Sequence, residues 1–315
     1  MGRMSTLKDG VQLNCTIVSD THIDIKHPIP ALPKFFMKRA LTDAKKSENT
    51  VDAFIVIGDT TSRSSKINWD MAKETFSKVK APAKNILIAI GNHDTWCDED
   101  DDTAFKRYLS YTAEITGEKH EKTYFSKVIN GYHLIFLGGE SECGCGAFIS
   151  DEQVEWFKNE MKSASESGKP VFVFCHQSLN GKHGLPRTFD KDEDPNASPM
   201  EGGIGEKSDK IKEILEQYKN VYYFSGHSHM GVSGEDTYKK EGYSSFEKYG
   251  SLHLINLPSL SCGNHHGVNN KLGVGFQLEV YNDSVVIRPR ETKLHRWVKN
   301  VVIKDGKPYY EDILE

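Results

Sequence analysis

Polar residues able to bind metals follow five apolar, strand-like runs of this chain, each at the point where the run ends. The clearest run, residues 86–90, is rich in β-branched side chains and gives way to Gly91-Asn92-His93-Asp94. Short runs of this kind that stop at glycine or asparagine predict buried β-strands. The other four runs end in Asp20 and His22, in Gly58 and Asp59, in His176, and in Gly226, His227 and His229. We therefore expect Asp, Asn and His side chains to emerge together at strand ends.

These side chains could form one site, because open α/β sheets bind ligands in the crevice beyond their strand ends. Two aspartates and several histidines in a small volume would repel or desolvate one another unless a cation lay between them. A metal centre explains the combination. The candidate ligands are too many for one ion, and Asp59 has two carboxylate oxygens that could bridge two ions. The residues therefore predict a dinuclear metal site.

The ordered series of motifs resembles the signature of the calcineurin-like metallophosphoesterases. The series consists of Asp20-x-His22, Gly58-Asp59, Gly91-Asn92-His93-Asp94, His176 and Gly226-His227-x-His229. A single motif of this kind is common, whereas all five in order, each after a predicted strand, are specific. Within the superfamily the set is most similar to the class III cyclic-nucleotide phosphodiesterases. The resemblance implies an α/β fold in which two packed mixed β-sheets are flanked by helices, a four-layer α/β/β/α sandwich.

The resemblance also implies a role for each motif residue. One ion would be held by Asp20, His22, Asp59 and His229, and the other by Asp59, Asn92, His176 and His227. A hydroxide bridging the two ions would be the nucleophile, His93 would protonate the leaving group, and Asp94 would orient or charge the His93 imidazole. Imidazole, carboxylate and amide ligands suit Mn, Fe or Zn and do not choose among them.

The implied activity is metal-dependent phosphoester hydrolysis, with a phosphodiester as the favoured substrate. A phosphomonoesterase or a nucleotide pyrophosphatase of the same fold is the nearest alternative. The segment Gly58-Asp59-Thr60-Thr61-Ser62 lacks the tyrosine that purple acid phosphatases carry there, so we expect no tyrosinate-to-iron colour. A noncatalytic scaffold is less favoured, because every expected ligand position is filled.

Helical patterns separate the first strands of the chain. Residues 32–46 and 66–80 carry apolar side chains at helical spacing and predict crossover helices between parallel strands. Further along, Asn130-Gly131 predicts a hairpin, Ser150 to Gln153 a capping box that opens a helix, and residues 208–219 another helix. Strand-like runs dominate residues 250–315. This order favours two packed sheets with helices outside, in a single domain of residues 1–315.

Composition limits the classes of partner. The 315 residues, 37% of them hydrophobic, suffice for a large packed core, and a net charge of −5 gives no broad basic surface for nucleic acid. A small phosphoester, possibly a nucleotide, is compatible with this charge. No run approaches the length of a membrane span and no apolar signal region follows the first residues, so we expect a cytoplasmic protein. The oligomeric state is not indicated.

Two loops are candidates for substrate contacts. Residues 177–208 show no helix or strand periodicity and are rich in Gly, Pro, Asn and charged residues. This is typical of a loop that is inserted in a domain and covers a functional site. In this loop His183 and Arg187 are candidate phosphate contacts, with an exposed-loop role as the alternative. His265 and His266 follow a later strand and could reach the opening of the site.

The six cysteines give no disulfide framework. Cys143-Gly144-Cys145 is the one pair whose spacing invites a metal or redox interpretation. A structural zinc site would need two more ligands at comparable spacing, and no second pair of cysteines exists. We therefore interpret this pair as part of a plain loop.

Overall fold

The computed structural model describes residues 3–97, 100–185, 200–233, 243–264, 271–298 and 310–314. Within these ranges the helices are α1 (Ala31–Lys45), α2 (Lys66–Ser77), α3 (Asp101–Thr116), α4 (Asp151–Ser165) and α5 (Ser208–Glu216). The strands are β1 (Leu13–Val18), β2 (Ala53–Ile57), β3 (Asn85–Ala89), β4 (Phe125–Ile129), β5 (Tyr132–Phe136), β6 (Val171–Phe174), β7 (Val221–Ser225), β8 (Phe246–Tyr249), β9 (Leu252–Asn256), β10 (Val274–Val280), β11 (Ser284–Glu291), β12 (Arg296–Trp297) and β13 (Tyr310–Ile313). The predicted crossover helices, hairpin and later strands are thus confirmed.

The described strands form two mixed sheets. In the first sheet the order is β12-β11-β10-β1-β2-β3, with β13 beside β11, and β1, β2 and β3 are parallel. In the second sheet the order is β4-β5-β6-β7-β9-β8, and β5, β6, β7 and β9 are parallel. Antiparallel pairing of β1 with β10 brings the beginning of the chain and its C-terminal strands into one sheet.

Side chains that alternate along the strands build the layers, because successive residues of a strand point to opposite faces. In β2, Ala53 packs between the two sheets, whereas Phe54 and Val56 pack with α1, α2 and α3. In β6, Phe172 packs into the same central core, whereas Val173 packs with α4 and α5. The resulting order of layers confirms the predicted α/β/β/α sandwich.

The predicted capping box at the start of α4 is half formed. The Ser150 hydroxyl accepts a hydrogen bond from the Gln153 N–H at 3.1 Å. The reciprocal bond is missing, because the Gln153 carboxamide bonds instead to the C=O and N–H of Gly138, at 2.8 and 3.1 Å. The Ser150 N–H donates to the Glu140 carboxylate at 2.8 Å. These contacts fasten the β5–α4 loop to the helix that follows it.

The assignment of residues 1–315 to one domain stays a prediction, as does the insertion of residues 177–208. In the described part of that segment, a β-bridge joins Ser178 to Gly203. Across the described ranges no helix is long and apolar enough to cross a bilayer. A cytoplasmic location stays a prediction.

A buried ion pair fastens α1 to β11. The Asp43 carboxylate accepts two hydrogen bonds from the Arg290 guanidinium, at 2.6 and 3.0 Å, and both side chains are 3% exposed. Removing one partner of a buried pair leaves the other charge in a low-dielectric environment without its counter-charge. We expect Asp43→Ala to lower the free energy of unfolding by about 3–5 kcal/mol, as measured by urea denaturation.

Glu74→Gln is the matched control, because Glu74 pairs with Lys78 at 2.8 Å and both side chains are exposed. Exposed pairs contribute about 0–1 kcal/mol, so the urea midpoint of this variant should stay close to that of the wild type. Equal midpoints for the two variants would show that the buried pair does not stabilise the fold.

Candidate metal centre

Six of the seven predicted ligands meet where the carboxyl ends of both sheets adjoin. The first sheet contributes Asp20 and His22 after β1 and Asp59 after β2, and the second contributes His176 after β6 and His227 and His229 after β7. The ligand atoms of Asp20, His22, Asp59 and His229 lie within 4.8 Å of one another, and so do those of Asp59, His176 and His227. Only Asp59 belongs to both groups. This is the arrangement expected of two ions that share a bridging carboxylate.

Ligand atoms contributed by the two sheets lie at distances of direct polar contact. The His176 Nε2 lies 3.1 Å from the Asp59 Oδ2, and the His229 Nε2 lies 3.0 Å from the Asp20 Oδ1. Within the first group, the His22 Nε2 is 3.4 Å from the same Asp59 oxygen. Ligand atoms of four strands therefore converge on one small volume.

Several buried ligand atoms at the centre make no well-directed hydrogen bond to the described residues. They include the Asn92 Oδ1 and also the Asp59 Oδ2 and the His176 Nε2, which face each other at 3.1 Å. A buried polar atom left unsatisfied is unfavourable by about 1–3 kcal/mol. Several such atoms at one place therefore indicate a binding site. Carboxylate, imidazole and amide oxygen atoms are all metal ligands. The residues present thus fit a metal centre, and Asn92 is available as its seventh ligand.

Other atoms of the same side chains are fixed by hydrogen bonds. The His176 Nδ1 lies 2.7 Å from the Ile57 C=O, which directs its Nε2 towards Asp59. The Asp59 Oδ1 accepts from the His93 N–H at 2.9 Å, and the Asp20 Oδ2 accepts from the His227 N–H at 3.1 Å. Such bonds orient metal ligands and leave one atom of each free to coordinate.

Glycines in three motifs leave room for ligands from other strands. A Cβ atom at Gly58 would overlap the His176 ring, and one at Gly91 would overlap the Asp59 carboxylate. A Cβ atom at Gly226 would overlap the Asp20 carboxylate. The close approach of backbone and side chain explains why these motifs need glycine beside the ligand.

The ligand-bearing turns share an unusual backbone conformation. Five ligands have a positive φ: Asp20, His22, Asp59, His227 and His229. Their φ values lie between 48° and 68°, in the left-handed region that residues other than glycine rarely adopt. Each such residue adds about 1 kcal/mol or more of strain, which persists only where the surrounding structure imposes it.

Burial and charge act in opposite directions on the ligands. Burial favours a raised pKa for Asp20 and Asp59, but nearby histidines, chiefly His176, hold the pKa of both carboxyls below their usual range. The two carboxylates in turn raise the pKa of His176 to about 10 in spite of its burial. Burial and the charge of His176 lower the pKa of His227 to about 3. The lowered pKa of both carboxyls favours their ionised form, and two carboxylates at one place favour positive charge between them, which a metal ion would supply.

His93 lies beside the ligands without belonging to either group. Its ring packs edge-on against the His22 ring, with centroids 4.7 Å apart, and lies against Trp96. Its Nδ1 is 3.0 Å from the Ser62 C=O, and its Nε2 makes no hydrogen bond to the described residues. Burial lowers the pKa of this imidazole, outweighing the opposite effect of Asp59.

The expected contact between Asp94 and the His93 imidazole is not formed. The Asp94 carboxylate instead accepts from the N–H groups of Thr61 at 2.9 Å, Gly91 at 3.0 Å and Thr60 at 3.3 Å. Burial and the charge of Asp59 raise the pKa of Asp94 to about 7. The described structure therefore lacks the contact by which Asp94 would orient the His93 imidazole, and a catalytic role for Asp94 stays a prediction. Its carboxylate folds back and ties the loop after Asp59 to the loop after β3.

The predicted substrate contact His183 is enclosed by the described residues. Its side chain is fully buried, its Nδ1 lies 2.7 Å from the Ser244 C=O, and its N–H donates to the Glu247 carboxylate at 2.9 Å. Its contact with a substrate phosphate stays a prediction. The candidates Arg187, His265 and His266 lie outside the described residues.

Cys262 is a residue at the centre that the sequence did not reveal. Its Sγ lies within 4.8 Å of ligand nitrogens of His22 and His229. Burial raises the pKa of the thiol to about 12, with Asp20 and Asp59 adding to the effect. The Ser259 hydroxyl accepts from the Cys262 N–H at 2.9 Å and donates to the Asp20 C=O at 3.0 Å, which holds this loop beside β1. No local motif in the sequence signals this long-range contact.

Comparison with known proteins identifies the family. The sequence model of the calcineurin-like phosphoesterases matches residues 13–231. The chain belongs to this family. A calcineurin-like phosphoesterase is a metal-dependent phosphoester hydrolase, and the matched range contains every predicted ligand from Asp20 to His229. No curated protein sequence gives a significant match.

Solved structures share the fold of this calcineurin-like phosphoesterase at low sequence identity. A dimetal phosphatase from Danio rerio is 13% identical, with a TM-score of 0.58, over 90% of this chain and 97% of its own. A purple acid phosphatase from yellow lupin (Lupinus luteus) is 11% identical, with a TM-score of 0.61, over 95% of this chain. The alignment covers 53% of the lupin chain, so this protein spans about half of that structure. Both similarities concern the fold.

The shared position of Asp59 predicts a loss of metal on substitution. We expect metal-stripped wild-type protein to rebind about two Mn²⁺ ions per chain, and Asp59→Asn to bind about one or none, because the bridging carboxylate loses its charge. Equilibrium dialysis followed by atomic emission measures the stoichiometry.

Asp52→Asn is the matched control. Asp52 is a buried carboxylate at the opposite end of β2, where it accepts from the Asn14 N–H at 3.0 Å and from Lys84 at 2.8 Å. This variant should keep the full metal content. An Asp59→Asn protein that binds as much Mn²⁺ as the wild type would rule out Asp59 as the bridge.

Proposed function

We propose that this calcineurin-like phosphoesterase is a phosphodiesterase with a dinuclear metal centre. The observation that carries the proposal is the pair of ligand groups that share Asp59, with His93 at their edge. Asp20, His22, Asp59 and His229 would hold one ion, and Asp59, Asn92, His176 and His227 the other. Two such ions supply activation of water and neutralisation of the phosphate charge. Nitrogen and oxygen donors suit Mn, Fe or Zn.

The charges around the centre support a diester over a monoester. A phosphomonoester carries close to two negative charges at neutral pH, because its second pKa is about 6, whereas a diester carries one. Within the described residues, the side chains that act most strongly on the pKa of Asp20 and Asp59 are histidines, with no lysine or arginine among them. Among the described residues, the two carboxylates thus have no strongly acting lysine or arginine beside them, which leaves less to offset the second charge of a monoester.

His93 is the proposed acid for the leaving group. Its Nδ1–H is directed to the Ser62 C=O, so the Nε2 would carry the second proton of the charged imidazolium and is the nitrogen available to give that proton to the departing oxygen. The neighbouring rings of His22 and Trp96 restrict the imidazole. Asp94 would act by positioning the loops that carry Asp59 and His93, through the N–H groups of Thr60, Thr61 and Gly91.

Two alternatives on the same fold differ in substrate. A phosphomonoesterase or a nucleotide pyrophosphatase would use the same metal centre with different contacts around it. A noncatalytic scaffold is less favoured, because the described ligand set is complete and several of its buried atoms make no well-directed hydrogen bond to the described residues.

The proposal is tested by comparing bis(4-nitrophenyl) phosphate with 4-nitrophenyl phosphate as substrates. We expect metal-stripped protein to hydrolyse neither, and protein resupplied with Mn²⁺ to favour the diester in kcat/KM by about tenfold or more, which corresponds to about 1.4 kcal/mol. Asp59→Asn should be inactive with both and Asp52→Asn active. Preference for the monoester would replace the proposal by the phosphatase alternative.

The role of His93 predicts a dependence on the leaving group. We expect His93→Ala to lose about 10²–10⁴-fold in kcat with diphenyl phosphate, whose phenolate needs a proton, and much less with bis(4-nitrophenyl) phosphate. Metal content should be unchanged. The control is His120→Ala, because His120 is partly buried and stacks on Phe125, with ring centroids 4.1 Å apart. Equal losses for the two diesters would remove His93 as the acid.

A further inference from the structure

A groove of about 650 Å³ lies between the β5–α4 loop and the segment that precedes α5. Cys143, Gly146 and Phe148 line it on one side, and Met200, Glu206 and Lys207 on the other. None of these residues is a ligand of the candidate metal centre. The groove also contains the Cys143-Gly144-Cys145 pair, to which the proposed reaction gives no role.

The groove adjoins the candidate metal centre. A small separate cavity of about 10 Å³, the space of a single water molecule, is called the neck here and shares Cys143, Gly146 and Ala147 with the groove. The far wall of the neck is formed by Asn92, a predicted metal ligand, and by Gln177, which follows the ligand His176. The Gln177 carboxamide donates to the Gly146 C=O at 3.0 Å, which holds the loop against the strand end. A molecule with its phosphate at the metals could therefore extend into the groove.

The surface of the groove is apolar, and the charge at its rim is negative on balance. Phe148 is 49% exposed and Met200 is 44% exposed, although both are large apolar side chains. Lys207 pairs with Asp151 at 2.9 Å, and the Glu201 and Glu206 carboxylates add negative charge at the rim. An anionic group would be repelled there, whereas an uncharged ring would cover Phe148 and contact the Met200 thioether.

We propose that this groove binds the uncharged aromatic or heteroaromatic ring of the phosphoester whose phosphate lies at the metal centre. The proposal rests on the proposed phosphodiesterase function and adds a substrate class to it, namely esters of aryl alcohols or of nucleosides. Adjacency is the argument for this occupant, because the groove and Asn92 border the same small cavity, so that a ring in the groove and a phosphate beside Asn92 can belong to one molecule. Phe148, Met200 and Gly146 are its specificity-determining residues.

The kinetic test uses two diesters with the same leaving group. Bis(4-nitrophenyl) phosphate and ethyl 4-nitrophenyl phosphate both release nitrophenolate, and only the first has a second ring. We expect Phe148→Ala to lower the preference for the diaryl ester, measured as the ratio of kcat/KM values, by about tenfold, because stacking on an aromatic side chain typically contributes that much. Gly146→Leu should have the same effect by filling the neck.

Gly146 tolerates a side chain, because a Cβ atom there would lie 3.5 Å from the Cys143 C=O and 3.6 Å from its Sγ, which are ordinary contacts. Phe35→Ala is the matched control, because Phe35 is 44% exposed on α1, in the helical layer of the first sheet. This variant should keep the wild-type ratio. A ratio that Phe148→Ala and Gly146→Leu leave unchanged would overturn the proposal.

Thiol alkylation provides a second test, whose result does not depend on turnover of a substrate. Cys143 is exposed, whereas Cys15 and Cys175 are buried. In Mn²⁺-loaded protein we expect 1-naphthyl phosphonate, at ten times its dissociation constant, to slow alkylation of Cys143 by N-ethylmaleimide about tenfold, as followed by peptide mass spectrometry. Methyl phosphonate should not slow it, and Cys97, which lies outside the groove, should react at an unchanged rate with either compound.

The outcomes separate the two proposals. Wild-type protein that hydrolyses neither diester with Mn²⁺ would contradict the phosphodiesterase function. Hydrolysis that depends on Mn²⁺, combined with equal alkylation of Cys143 under both phosphonates, would overturn the groove as the ring site and leave the function intact.

Discussion

Two buried carboxylates at the junction of the sheets impose the constraint on which the rest of the structure depends. Asp20 is 0% and Asp59 1% exposed, and nearby histidines hold the pKa of both carboxyls below their usual range. A buried charge is tolerated only beside an opposite charge. The second sheet supplies imidazoles at this point, on the loops after β6 and β7. The packing of one sheet on the other and the capacity to bind metal are therefore coupled, because ions held here would connect strands of both sheets.

The same constraint explains the local backbone. Five ligands occupy left-handed conformations, and three glycines lie where any Cβ atom would overlap a ligand of another strand. A strand that ended in an ordinary turn would direct its side chains outward and away from the junction. The buried strands and the carboxylate of Asp94, which accepts from three N–H groups, hold these turns in place. Strain at the strand ends is thus balanced by packing elsewhere, as is common at functional sites.

Features of the fold and of the candidate site that depend on local order along the chain could be predicted from the sequence. Features that depend on long-range packing could not. The α/β/β/α layers follow from strand and helix periodicities, and the ligand groups from the motif series at strand ends. Adjacency of Asp94 to His93 along the chain does not specify that the Asp94 carboxylate turns back to the loop after Asp59. The burial of His183 likewise depends on residues about sixty positions away. Cys262 was missed for the same reason, since the contact that places it joins two distant strands.

If the proposed function holds, different parts of the chain would govern the reaction and the choice of substrate. The candidate metal ligands lie at strand ends, where a displacement of Asp59 would disturb both ion sites. The groove is built by loops, yet those loops are not loose. Gln153 ties Gly138 to α4, and Gln177 ties Gly146 to the end of β6. Substitutions at Phe148 or Met200 can change the surface met by a substrate without moving the ligands, because neither side chain takes part in these ties. A calcineurin-like phosphoesterase can in this way keep its chemistry while its specificity changes.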